Sequence, residues 1–207
     1  MAAQTEVKAN PNMPNHLETA TLDGKNKVLG FWLFLGAETV LFACLFGTYL
    51  ALRNQTLGGP DGQELFDLKL VAAATAILLT SSLTSVLAMM KMNQLNYKAM
   101  QLWLGITVLL GASFLGLEIY EFIHYVHEGH TFMSSAFGSS FYALVGTHGA
   151  HVTFGIVWIS TLMIQAAKRG ITKETAPKLF VSSLYWHFID VVWVFIFSLV
   201  YLLGKVG

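Results

Sequence analysis

Two titratable residues lie in an apolar stretch near the C-terminus, where their side chains could carry chemistry. His187 and Asp190 are three residues apart, between Trp186 and Trp193. An ionised side chain near the centre of a bilayer costs about 3 kcal/mol or more. Residues three apart share a helix face, and a neutral histidine that donates to a carboxylate offsets part of this cost. We predict a structural hydrogen bond between His187 and Asp190, with a catalytic dyad as the alternative.

Glu38 is a further acidic residue within an apolar stretch. It lies ten residues after Val28, where the first stretch begins. At about 1.5 Å per helical residue, Glu38 is about 15 Å deep, near the middle of a bilayer. A carboxyl group without a partner at that depth is expected to be neutral. We predict that it forms a hydrogen bond with a neighbouring helix. A proton-handling or lipid-contacting role is the alternative.

The third apolar stretch ends in a run of acidic residues and histidines. Glu118 and Glu121 are three residues apart and share a helix face, and they are followed by His124, His127, Glu128 and His130. Such a mixture of side chains can bind a metal ion. The run lies at the membrane boundary, however, where polar side chains carry little penalty. We therefore predict interhelical hydrogen bonds and a solvated interface, with a metal site as the alternative.

The fourth apolar stretch carries two histidines, His148 and His151, in its outer half. Paired histidines in membrane helices suggest haem ligation. Two histidines on one helix face cannot supply both axial ligands of one haem. His187 is a possible partner, but we place it in the inner half of its own span, at a different depth. A haem site is therefore disfavoured.

The positions of these residues are set by five apolar stretches. Of 207 residues, 55% are hydrophobic and 12% are charged, whereas soluble domains have about 25% charged residues. Each stretch supplies the ~20 residues that are needed to cross ~30 Å of hydrocarbon as a helix. The alternating strands of a membrane barrel are missing from the sequence. We predict an all-α integral membrane protein with spans at Val28–Leu52, Leu68–Met92, Leu102–Ile123, Phe141–Gln165 and Phe180–Leu203.

The predicted organisation is a flexible polar tail at residues 1–27, followed by one five-helix domain at residues 28–207. Nine of the twelve Lys and Arg residues lie on the N-terminal side of the predicted spans and three on the other side. The positive-inside rule then places the N-terminus in the cytoplasm and the C-terminus outside. A formal net charge of zero gives no reason to expect a nucleic-acid partner. The single cysteine, Cys44, excludes a disulfide within the chain and any cysteine-based metal cluster.

Four segments resemble one known family, subunit III of the haem–copper terminal oxidases. The short subunit III of Bacillus-type caa3 cytochrome c oxidases is the most similar form, and the related quinol oxidases have nearly the same motifs. The resemblance covers all five spans. The segments that carry it are Gly30–Glu38, Gly116–Phe122, Gly146–Val152 and Tyr185–Trp193.

The resemblance implies a role in aerobic electron transport, in a complex that reduces O2 to water and pumps protons. It implies that haems and copper lie in partner subunits and that this chain has no cofactor, metal or catalytic residue. The implied partners are subunit I, subunit II with a CuA centre and possibly a fused cytochrome c, a small subunit IV and membrane phospholipids. The implied location is the bacterial plasma membrane. Subunit III in this family supports proton uptake and protects subunit I from inactivation during turnover.

The resemblance also implies a role for one residue and shows one difference from the longer members of the family. Glu38 matches the intramembrane carboxylate that reacts with hydrophobic carbodiimides in longer members. Those members have seven helices, which form a lipid-holding cleft, and this chain lacks the first two. The polar residues that we consider structural, lipid-related or proton-related are Glu38, Glu118, Glu121, His148, His151, His187 and Asp190.

Three other functions remain as alternatives. The first is subunit III of a menaquinol oxidase, because the electron donor binds elsewhere in such complexes. The second is a stand-alone proton or ion transporter, although the sequence lacks the broken helices and internal repeats that transporters often show. The third is a membrane haem or metal protein built on His148, His151 and His187.

Overall fold

Five long helices make up most of the chain. The structure is a computed structural model, and it describes residues 17–56, 68–127, 129 and 131–206. Each of the five helical spans is long and apolar enough to cross a membrane, which confirms the predicted number. The helices are α1 (Leu22–Leu52), α2 (Leu68–Asn93), α3 (Tyr97–His127), α4 (Ala136–Arg169) and α5 (Thr175–Ile196).

The first helix begins earlier than the apolar pattern predicts. It starts at Leu22, and the Thr21 side chain accepts a hydrogen bond from the Gly24 backbone N–H at 3.0 Å. A threonine in this position satisfies one of the free N–H groups at a helix start. Residues 22–27, which we predicted to be part of the tail, are therefore helical. Residues 1–16 lie outside the described residues, and the flexibility of the tail stays a prediction.

Helices α2, α3, α4 and α5 form a ring in which each helix packs against the next and α5 packs against α2. Helix α1 lies outside this ring and packs against α4 and α5. Aromatic rings form part of its contact: the Phe31 centroid is 5.8 Å from that of Trp158 and 6.3 Å from that of Tyr185. Much of α1 is therefore left uncovered by the rest of the chain.

Trp186 on α5 joins three helices of the ring. Its indole N–H donates to the Ser81 hydroxyl on α2 at 2.8 Å. Its ring lies between two glycines: a methyl group at Gly111 on α3 would be 2.6 Å from Cη2, and one at Gly155 on α4 would be 3.0 Å from Cε3. These glycines admit the ring because they have no side chain. Trp186 was predicted to be a packing anchor, and its position confirms this.

Trp193, two helical turns further along α5, makes a similar set of contacts. Its indole N–H donates to the Thr75 hydroxyl on α2 at 3.0 Å. Its ring meets Phe114 on α3 edge to face, with centroids 4.6 Å apart, and stacks on His148 of α4 at 5.2 Å. The two tryptophans therefore fix the rotation of α5 against the same three neighbours.

The end of the fifth span departs from α-helical geometry. After Ile196 the chain forms a π-helical segment, Phe197–Leu202, and then a last α-helical turn, Leu203–Val206. A π-turn closes its hydrogen bonds one residue later than an α-turn and often occurs at functional positions. It rotates the residues that follow relative to an uninterrupted helix, so the face that they present cannot be extrapolated from α5.

We expect Gly111→Ala to destabilise the bundle, because the new methyl group would overlap the enclosed Trp186 ring. Overpacking of this kind costs about 1–3 kcal/mol. Gly116→Ala is the matched control on the same helix, since nothing lies within 4 Å of the methyl group it would add. Thermal unfolding of the purified protein in detergent measures both. Equal midpoints for the two variants would show that Trp186 does not need the gap at Gly111.

Candidate functional site

The seven polar residues that the sequence singles out lie in separate places in the bundle. One pair joins α1 to α4, one cluster lies among α3, α4 and α5, and one string lies between α2 and α5. Among the described residues, no three His, Cys, Asp or Glu side chains lie close enough to hold a metal ion together. The polar residues therefore have to be assessed through their hydrogen bonds and burial.

Glu38 and His151 form a direct pair between α1 and α4. The Glu38 Oε2 atom lies 3.1 Å from His151 Nε2, and His151 Nδ1 lies 2.7 Å from the Thr147 carbonyl oxygen. A carbonyl oxygen can only accept, so Nδ1 must carry a proton. The contact at Nε2 then requires one more proton, held either by the carboxyl or by the imidazole. The pair is neutral overall in both arrangements.

The Glu38–His151 pair lies about midway along both helices and at the edge of the bundle. The two side chains keep 16% and 20% of their surface exposed, respectively. Phe42 lies 5.1 Å from the His151 ring, and the Tyr185 hydroxyl donates to the His151 carbonyl oxygen at 3.3 Å. The pair therefore faces the surroundings of the chain while aromatic rings hold the histidine in place.

The predicted hydrogen bond from Glu38 to a neighbouring helix is confirmed, but its partner was not foreseen. Glu38 and His151 are 113 residues apart in the sequence. A spacing pattern within one helix cannot reveal such a pair. The signal that could have suggested it is depth, because both residues lie near the middle of their helices.

Glu121 accepts two tyrosine hydroxyl groups in the interior. Tyr125, one turn further along α3, donates to Oε1 through a short hydrogen bond, and Tyr201 donates to Oε2 at 3.1 Å. Tyr201 belongs to the π-helical segment after α5. The prediction of interhelical hydrogen bonds is thus confirmed for Glu121. Tyr201 was missed because its position depends on the π-turn.

The predicted solvated interface is wrong for the two glutamates. Glu118 is 4% exposed and Glu121 is 6% exposed. The physical reason is that α4 and the end of the fifth span cover this face of α3. His124 and His127 are exposed, as a boundary position implies. Glu128 and His130 lie outside the described residues.

Glu118 and His148 are buried without a hydrogen bond to any described residue. The Glu118 carboxyl packs on Gly149, where a methyl group would be 2.9 Å from Oε1. The His148 ring is fully enclosed between Trp193 and Phe114, whose centroid lies 6.0 Å away. A haem could bind this histidine only if one of these rings were displaced, so the enclosure argues against a haem at this position.

His187 and Asp190 do not form the predicted direct hydrogen bond. His187 Nδ1 lies 2.6 Å from the Ser82 hydroxyl of α2, and Nε2 lies 3.5 Å from the Ser183 hydroxyl. Neither Asp190 oxygen forms a hydrogen bond with a described residue. The prediction failed because serine hydroxyls contact both nitrogens of the His187 ring.

We expect Glu38 and His151 to contribute a measurable coupling energy to stability. Interhelical polar contacts in membrane proteins are worth about 0.6–1.7 kcal/mol in double-mutant cycles. The cycle compares Glu38→Ala, His151→Ala and the double variant by unfolding of the purified protein in detergent. Glu38→Gln should retain part of the energy, because an amide N–H can donate to Nε2.

The control cycle combines Glu38→Ala with Ser198→Ala. The Ser198 hydroxyl is exposed and donates to the Val194 carbonyl oxygen of its own helix, so the two effects should add. A coupling no larger in the Glu38–His151 cycle than in this control would contradict the pair.

The chain matches known proteins over nearly its whole length. The family model described as "Cytochrome c oxidase subunit III" matches residues 7–205. Cytochrome c oxidase subunit 3 of Bacillus sp. (strain PS3) is 69% identical over 91% of each chain. Its counterpart in Bacillus subtilis (strain 168) is 68% identical over 94% of each chain. Quinol oxidase subunit 3 of Bacillus subtilis (strain 168) is 52% identical over 96% of each chain.

The match to the family model covers the five helices and every polar residue described above. The comparisons agree with the resemblance that the four sequence segments indicated. The chain belongs to the cytochrome c oxidase subunit III family and is a subunit III of a haem–copper oxidase complex.

Proposed function

We propose that this chain is the redox-inactive subunit III of a bacterial aa3/caa3-type cytochrome c oxidase. The observation that carries this proposal is the order of identities: 69% and 68% with two cytochrome c oxidase subunits, against 52% with a quinol oxidase subunit. The complex takes electrons from cytochrome c, reduces O2 to water and pumps protons. Its haems and copper belong to other subunits, and this chain binds neither.

The role of the chain is to stabilise the redox subunit and to support its proton uptake. Two features favour a structural role. Trp186 and Trp193 join four helices through buried contacts with α2, α3 and α4. In addition, most of the outer surface of α1 is left for lipid or a partner subunit, including Trp32 and Leu33, which are 57% and 73% exposed.

The proposed partners are subunit I, subunit II with its CuA centre and possibly a fused cytochrome c, and a small subunit IV. Membrane phospholipids fill the remaining surface. The proposed cellular location is the bacterial plasma membrane, with the N-terminus in the cytoplasm. This orientation is supported by the nine Lys and Arg residues on the N-terminal side, against three on the other.

Glu38 is a partly exposed polar residue at the edge of the bundle. Its pairing with His151 keeps a neutral polar group at the bundle edge near mid-membrane. A polar group in that position can hydrogen-bond a lipid or a side chain of a neighbouring subunit.

A quinol oxidase subunit III is the second candidate, because a quinol oxidase relative is 52% identical. A stand-alone transporter is less well supported. Transporters commonly bind their substrate where helices break near mid-membrane, and α1–α4 run without a break through the described residues. The π-helical segment lies near the end of the fifth span, away from the middle.

Purification through an affinity tag on this chain tests the assignment. We expect a large haem-containing subunit and a CuA-containing subunit to co-purify with this chain, so that the preparation shows a haem absorption spectrum. The preparation should oxidise reduced cytochrome c and show little oxidation of a menaquinol analogue. The reverse preference would favour the quinol oxidase, and recovery of this chain alone, without haem, would contradict the subunit assignment.

Glu38→Ala should leave the haem content of the complex unchanged, because the residue touches no redox centre. We expect the variant to lose activity faster during turnover, since the polar contact at the bundle edge is removed. Time courses of O2 consumption measure the half-life of activity, and Thr39→Val, which removes a hydroxyl bonded to the Leu35 carbonyl of the same helix, is the control. Loss of activity from the first turnover, with normal haem content, would contradict this role.

A further inference from the structure

The outer surface between α3 and α4 carries apolar side chains that the rest of the described chain leaves uncovered. The Gln101 side-chain amide donates to the Met163 carbonyl oxygen at 2.9 Å, which shows that these two residues face each other. Leu102 and Ile164 follow them directly in the sequence and are 63% and 60% exposed. In antiparallel helices, the residues that follow a facing pair turn to the same side of the helix pair. Leu102 and Ile164 therefore flank one groove.

Two further side chains continue the groove towards the middle of the bundle. Leu109 is seven residues after Leu102, and Val157 is seven residues before Ile164, so each pair shares a helix face. Leu109 and Val157 are 69% and 59% exposed. Seven residues cover about 10 Å at the usual helical rise, which fits within the ~15 Å of hydrocarbon in one leaflet. We call these four side chains the α3–α4 groove.

A lysine from each helix lies at the end of the α3–α4 groove, on the side of the bundle where α1 begins. Lys98 is four residues before Leu102, and Lys168 is four residues after Ile164. Residues four apart lie one above the other on a helix face, so each lysine lies one turn beyond the apolar side chain. Both lysines are exposed, and neither forms an ion pair with a described residue.

The acidic side chains described on this side of the bundle leave the two lysines uncompensated. Asp23 pairs with Lys27 on α1, Glu18 is buried, and Glu174 lies in the turn before α5. Two cations therefore lie at the end of an exposed apolar groove. An amphiphile with an anionic head and an apolar chain matches both parts of this surface.

We propose that the α3–α4 groove binds a phospholipid with an anionic headgroup, of the phosphatidylglycerol class. The phosphate lies between Lys98 and Lys168, since lysine near a membrane surface attracts anionic lipids. An acyl chain packs along the four apolar side chains. A phosphatidylcholine with the same chains binds more weakly, because its choline group cancels the phosphate charge. The proposal rests on the proposed membrane location, and it holds whether cytochrome c or a quinol supplies the electrons.

Photochemical labelling of the purified complex tests the proposal. The probe is a phosphatidylglycerol with a diazirine in one acyl chain, and mass spectrometry of the peptides locates its adducts. We expect adducts on residues 102–109 and 157–164. Unlabelled phosphatidylglycerol should remove these adducts, whereas the same concentration of phosphatidylcholine or of inorganic phosphate should not.

Substitution of the lysines tests the position of the headgroup. Lys98→Gln and Lys168→Gln should each weaken the apparent affinity for the probe about fivefold, as expected for the loss of one cation near the surface. Arginine at either position should retain the affinity. Lys25→Gln is the matched control, because Lys25 is an exposed lysine on the same side of the bundle but belongs to α1, outside the ring. Its affinity should equal that of the unmodified complex.

Three results would overturn the proposal. The first is a lack of adducts in the α3–α4 groove of the unmodified complex, a measurement that needs no variant to assemble. The second is equal competition by phosphatidylcholine, or displacement by inorganic phosphate, which would show that an anionic lipid is not selected. The third is an equal loss of affinity in Lys25→Gln. Haem content and O2 consumption of the same preparation test the proposed function separately, so a complex that keeps both while labelling fails would contradict the lipid site alone.

Discussion

The fold depends on the fit of the Trp186 ring between Gly111 and Gly155. Association of helices within a membrane gains little from the hydrophobic effect, because lipid tails are as apolar as the side chains that leave them. Close packing and interhelical hydrogen bonds supply the specificity instead. Trp186 provides both, since its ring fills the gap over two glycines and its N–H donates to Ser81. This one residue sets the rotation and the height of α5 within the ring.

The polar contacts follow from that rotation. With Trp186 directed into the ring, Ser183 and His187 face α2, where they contact Ser85 and Ser82, respectively. Tyr185 precedes Trp186 and is rotated towards α1 and α4, so its hydroxyl donates to the His151 carbonyl. The same anchor therefore positions the α2–α5 string and supports the Glu38–His151 pair on the opposite side of α5.

The sequence predicts the helices well and their side-chain partners poorly. The number of spans depends on the length and apolar character of each segment, which are local properties. Partners depend on which helix faces which, as in the pairing of Glu38 with His151 across 113 residues. The intrahelical prediction for His187 and Asp190 used the right face but did not include Ser82. Burial of Glu118 was missed because depth along a helix does not tell whether neighbouring helices cover it.

The bundle accommodates its titratable side chains in three different ways. The way depends on where in the bundle each side chain lies. At the bundle edge, Glu38 and His151 share a single proton and stay partly exposed. In the interior, Glu121 is satisfied by two tyrosine hydroxyls, one of which reaches it because the π-helical segment turns Tyr201 inwards. Between α2 and α5, serine hydroxyls contact both ring nitrogens of His187. Each arrangement lets the bundle keep acidic or basic side chains without a strongly charged interior. A subunit that contributes contacts to a complex needs such groups for specific helix pairing, whereas a redox site would need ligands that converge on one point.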